Sequence, residues 1–167
     1  MENREARAPV SDAASLMPDP RRVDEVRRMS IGLLIQLALE NLVGIGLNLY
    51  VVLPSSSPFG SLVSTIPSFA VHVVLGFLIL ATSVFLLVRT WSWQGTPIRW
   101  WAVLVLISVI VAIQEGFAFT YTGNSAFSFG MEAGFIGAVL ATVAVLYEVV
   151  RRFPSAAAST AAMASRT

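Results

Sequence analysis

The sequence predicts an all-α membrane protein, a four-span antiparallel helical bundle made of two similar hairpins. Three observations carry that expectation. Of 167 residues, 56% are hydrophobic and only 13% are charged, too little polar surface for a soluble domain of this size. Four apolar runs are each long enough, at about 1.5 Å per residue, to cross a hydrocarbon core of roughly 30 Å as helices. Arginines gather at alternate connections, as they do in chains with a fixed orientation across a membrane.

Residues 1–28, "MENREARAPVSDAASLMPDPRRVDEVRR", mix charges with Ala, Pro and Ser and contain no apolar run before Ile31. They read as a disordered cytoplasmic tail. A signal peptide would carry its apolar core nearer the start, so the first span is expected to be an uncleaved helix. The transmembrane domain covers 29–152, with spans expected at 29–53, 67–91, 98–121 and 126–150. Between them lie the uncharged "PSSSPFGSLVSTIP", an inner connection bounded by Arg89 and Arg99, and the short polar turn "TGNSA". Residues 153–167, rich in Ala and Ser, have too few large apolar side chains to pack and are expected to form a disordered tail.

Arg21, Arg22, Arg27 and Arg28 precede the first span, and Arg151 and Arg152 follow the fourth. With Arg89 and Arg99 they place both termini on the cytoplasmic side of a prokaryotic inner membrane. Trp91, Trp93, Trp100 and Trp101 all fall at the inner connection, where indole rings favour the headgroup layer, and Tyr50 and Tyr121 mark the outer boundary. Cysteine is absent, which removes disulfides, thiolate ligands and thiol nucleophiles. A net charge of +1 gives no sign of a nucleic-acid partner. The partners expected are the lipid bilayer and either a second copy of the chain or another membrane protein.

The second span, "SFAVHVVLGFLILATSVFLL", aligns without gaps on the fourth, "SFGMEAGFIGAVLATVAVLY", with His72 over Glu132. The first and third spans align more weakly, Glu40 falling over Glu115. Two hairpins related in this way would turn the polar residues of all four helices toward one axis.

Gly32, Gln36, Glu40, Gly44 and Asn48 recur at every fourth position of the first span and share one slowly drifting face. The second span repeats the spacing with Ser68, His72 and Gly76. Gly, Ser and Asn on such faces serve helix contact. Carboxylates are different: at bilayer depth one costs roughly 2.5 to 3.5 kcal/mol even on the lenient insertion scale, so it is paired, protonated or functional. Counted from the helix ends, His72, Glu115 and Glu132 lie roughly 8 to 10 Å below the outer boundary, with Asn48 at a similar level and Glu40 deeper. Met131 and Gln114 are sequence neighbours of that layer and should point about 100° away from it.

Asn48, His72, Glu115 and Glu132 are therefore the candidate ligand or metal site. Their donor set suits a mononuclear metal ion, and the lone His72, with Met131 or a partner chain opposite, suits b-type haem. Alternatively, Glu40 near the midplane is the proton-exchanging acid of a small-solute transporter. No Gly-x-Ser-x-Gly, Walker loop or His-Glu-x-x-His occurs, so a non-enzymatic accessory or binding role is expected. The segment "LNLYVVLP", a histidine about twenty residues on, and "GNSAFSFGMEAGF" together resemble a set of small four-span prokaryotic integral membrane proteins. That resemblance implies the fold and no particular activity.

Overall fold

The computed structural model describes residues 19–51, 59–93 and 95–154. Within them the chain forms five helices and no strand: α1 (Pro20–Tyr50), α2 (Phe59–Thr65), α3 (Pro67–Thr90), α4 (Ile98–Thr122) and α5 (Ser125–Arg152). All but α2 are long and apolar enough to cross a membrane. The shortest of the four has 24 residues, about 36 Å of helix.

Helix α1 begins well before the apolar run. Asp19 caps it by accepting a hydrogen bond from the Arg21 backbone N–H at 2.9 Å, and Pro20 occupies the first turn, where a missing N–H costs nothing. Val23, Val26, Ser30, Leu33 and Leu37, three or four residues apart, then form one buried stripe. Residues 20–28, expected as tail, are thus helical, because two valines among the charges continue the buried face. The rest of that expected tail, residues 1–18, lies outside the described residues, as do residues 155–167 of the C-terminal one.

The uncharged connection after α1 contains a helix that the sequence pattern did not suggest. Leu62 of α2 is 2% exposed, packed with Leu47 of α1 and Phe69 of α3. Pro67 then opens α3, and the buried residues of α3 lie near both its ends: Phe69 at the start, then Ile79, Ser83, Leu86 and Thr90. The "TGNSA" turn is built from local chemistry. Gly123 has φ +65°, a left-handed conformation that favours glycine, and its N–H closes α4 on the Phe119 carbonyl at 2.8 Å. Asn124 caps α5 by accepting from the Ala126 N–H at 3.0 Å.

Helix α1 packs on α3 and α5, α3 on α4, and α4 on α5, so the four long helices close into a cycle. The α4–α5 contact is the tightest. "GMEAG" places Gly130 and Gly134 four residues apart, and Cβ atoms there would meet the Glu115 side chain and the Ala112 backbone, respectively. Most of the core lies toward the Trp-bearing end, around Leu33, Leu86, Ile98, Val105, Val145 and Val149. Four buried hydroxyls donate within their own helices: Ser30 to the Val26 carbonyl at 2.9 Å, Ser83 to Ile79 at 2.8 Å, Thr90 to Leu86 at 2.9 Å and Thr142 to Ala138 at 2.7 Å.

Of each span's most apolar window, only 17 to 33% is buried inside the protein. Large apolar side chains such as Leu42, Phe85, Ile107 and Leu140 point outward from all four. In water such a surface would aggregate; in hydrocarbon it is the ordinary exterior. The chain is accordingly compatible with a multi-pass membrane protein. At the arginine-rich end, Glu25 meets Arg89 at 3.2 Å, and Glu148 holds Arg151 and Arg152 at 2.9 and 2.6 Å.

Candidate functional site

A cavity of about 790 Å³ opens among the four long helices and α2. That volume suits a small-molecule site, which typically occupies about 300–1,000 Å³. Its shape follows from where side chains are missing. Gly44 on α1 and Gly76 on α3 each face a polar side chain of the other helix: a Cβ at Gly44 would lie 3.7 Å from His72 Cε1, and one at Gly76 3.7 Å from Glu40 Oε1. The two glycines make room for the two polar groups to meet.

His72 Nδ1 lies 2.9 Å from Glu40 Oε1, with the side chains 25% and 12% exposed. The approach is close but lacks hydrogen-bond alignment, leaving Nδ1 without an aligned partner. Glu40 Oε2 is shielded and has no hydrogen-bond donor among the described residues, and Gln36 Oε1, one turn earlier on α1, is in the same state. Shielded acceptors without donors are costly, and such places invite a functional explanation.

This pairing corrects the depths expected from helix ends. Leu47 packs with Phe69, Gly44 faces His72, and Glu40 faces Gly76. The expected spans, the first ending at 53 and the second starting at 67, would instead set residue 48 beside 72. Helix α1 ends at Tyr50, three residues or about 4.5 Å short of that expected end, so with the ends of α1 and α3 nearly level His72 stands opposite Gly44, within reach of Glu40 one turn below.

The second hairpin behaves differently. Glu115 of α4 lies against Gly130 of α5, its Oε2 only 2.7 Å from where a Cβ would stand, and it is not part of the cavity wall. Glu132 does line the cavity, is exposed, and has no ion pair or hydrogen bond among the described residues. Asn48 lines it as well. The structure therefore brings Asn48, His72 and Glu132 to one cavity, adds Glu40, and leaves Glu115 outside. The aligned positions of the two hairpins do not make equivalent contacts: one acid meets an imidazole, the other a glycine backbone.

Among the described residues no three His, Asp or Glu side chains converge as a metal-ligand set, and Glu115 lies outside the cavity that His72 and Glu132 line. For haem, His72 and Met131 share the cavity, but among the described residues no Arg lines it to meet the propionates. Met131 was expected to point away. It enters the wall because Gly116 opposite has no side chain, the sulfur lying 3.3 Å from the vacant Cβ position.

Sequence reasoning also missed the aromatic part of the wall. Phe59 of α2 packs edge-on to Phe69, with ring centroids 5.5 Å apart, and tilts against Phe117 of α4 at 4.8 Å. All three line the cavity, as does Asn41. The available signal was the crowding of phenylalanines at the ends of spans that carry no arginine. No protein-family model, curated protein or solved structure matches the chain.

Proposed function

We propose that this chain is an integral membrane binding protein, non-enzymatic, whose intramembrane cavity holds a small membrane-soluble ligand. The observation that carries this reading is the cavity of about 790 Å³ with a shielded Glu40–His72 contact in an otherwise largely apolar wall. A ligand site needs such a combination: apolar surface for affinity and a few placed polar groups for orientation. Filling the cavity tests it. Ser128 lines the wall and is half-buried. Protein purified from its own membrane is expected to carry a small molecule detectable by native mass spectrometry, and Ser128→Trp to lose it while unfolding at the same temperature. Wild-type protein that carries nothing, or a Trp variant that retains the compound, would sink the proposal.

The helices run antiparallel in this reading, with both termini cytoplasmic and the cavity opening toward the outer face of the inner membrane. The Glu25–Arg89 and Glu40–His72 contacts support the antiparallel sense of α1 and α3, and the arginine distribution supports the orientation. Since the chain has no cysteine, single introduced thiols report topology directly. In intact cells a membrane-impermeant maleimide is expected to label Ser125→Cys and spare Ser92→Cys; the reverse pattern would invert the assignment. Both serines are exposed at helix ends.

A further inference from the structure

The cavity wall is lopsided in charge. Among the described residues its ionisable groups are two acids, Glu40 and Glu132, and one imidazole, His72, and no arginine reaches it. The two acids differ in availability. Glu40 is in contact with His72, and its second oxygen is shielded. Glu132 is exposed and has neither an ion pair nor a hydrogen bond among the described residues. Around them the wall is mainly apolar and aromatic, with Phe59, Phe69 and Phe117 clustered at one end.

Three classes of ligand can be weighed against that wall. An anion would enter a space with two carboxyl groups and, among the described residues, no guanidinium, where like charges repel strongly in low dielectric. A neutral apolar molecule would gain the contacts of the wall but leave Glu132 without a donor. A protonated amine on an aromatic or aliphatic body satisfies both parts: its N–H groups donate to a carboxylate, and ring faces, negative at their centres, favour a nearby cation. We propose that the cavity selects a membrane-soluble amine and that Glu132 supplies the opposing charge. This rests on the cavity-binding reading and adds the ligand class to it.

A matched set of probes separates the two ideas. The full chain is placed in nanodiscs of zwitterionic phosphatidylcholine, with empty nanodiscs as the partitioning reference. Calorimetry at neutral pH then compares 3,3-diphenylpropylamine, 3,3-diphenylpropanol and 3,3-diphenylpropanoate, which share a body and differ in charge. The amine is expected to bind at least tenfold more tightly than the alcohol, and the carboxylate most weakly. Glu132→Gln is expected to bring the amine down to the affinity of the alcohol while alcohol binding persists, showing that the cavity remains folded. Glu115→Gln, at an acid outside the wall, is expected to leave the ranking unchanged.

Wild-type protein that binds alcohol and amine equally, or prefers the carboxylate, overturns the amine class and leaves the binding reading in place. Amine preference that survives Glu132→Gln overturns the role of that residue. If none of the three binds beyond the empty nanodiscs, the cavity-binding reading falls with the proposal.

Discussion

Replacing His72 with Leu is expected to destabilise the protein more than replacing Glu40 with Leu, and making both changes to recover most of the loss. The contact at 2.9 Å joins side chains only 25% and 12% exposed. Removing the imidazole takes the close nitrogen from a shielded carboxyl group whose Oε2 already has no donor among the described residues. Leaving a shielded polar group unmatched in this way costs about 1–3 kcal/mol, and more where it carries charge. Removing the carboxyl takes a close neighbour from an imidazole whose Nδ1 already lacks an aligned partner, so it costs less. Two leucines restore an apolar contact of similar volume, which is often neutral or stabilising. Reversible unfolding in mixed micelles measures the cycle. Additive losses would show that the two residues are uncoupled; strong coupling with a stable double variant would show that the contact exists for something other than stability.

The spans were legible in the sequence because length and composition decide them. Pro67 and the Gly123–Asn124 turn mark helix ends through backbone chemistry that needs no tertiary context. The start of α1 was not legible, because "RRVDEVRR" reads as charged unless Val23 and Val26 are counted as the first turns of a stripe that becomes obvious only at Leu33. Helix α2 was hidden for another reason. Seven residues are too few to show a period, and Leu62 is held by Leu47 and Phe69, which come from two other helices.

The site was half legible. Residue type identified Glu40, His72, Glu132 and Asn48 as costly or polar at depth, and all four line one cavity. What depth counting lacked was the outer end of α1 at Tyr50, and the lateral direction of each side chain, set by glycines on the neighbouring helix. Glu115 shows the second effect. Its position on α4 is compatible with the cavity layer, yet Gly130 offers a recess where a side chain would otherwise stand, and the carboxylate lies there instead. Directions of this kind depend on pairs of helices and are absent from the pattern of either one alone.

That dependence yields the second large effect: Gly134→Ala is expected to destabilise the protein, although alanine is the better helix former. A Cβ at Gly134 would stand 2.8 Å from the Ala112 backbone nitrogen and 2.9 Å from the Ser108 carbonyl oxygen. Backbone cannot swing aside, so α4 and α5 must separate, and overpacking of this kind costs about 1–3 kcal/mol. In a bilayer the loss is hard to offset, because lipid is as apolar as the helix surfaces and close packing is itself the source of association. At Gly130 the obstacle is the Glu115 side chain at 2.7 Å, which can rotate, so Gly130→Ala is expected to cost less. Gly46 has nothing among the described residues within 4 Å of its Cβ position, and Gly46→Ala is expected to gain roughly 0.5–1 kcal/mol through helix propensity alone. Thermal unfolding of the three variants in one detergent should therefore rank Gly134→Ala below Gly130→Ala and both below Gly46→Ala. If Gly134→Ala unfolded no earlier than Gly46→Ala, the tight α4–α5 approach would be refuted. With it would go the reason why Glu115 is directed away from the cavity, because only a helix packed at this distance presents Gly130 to that carboxylate.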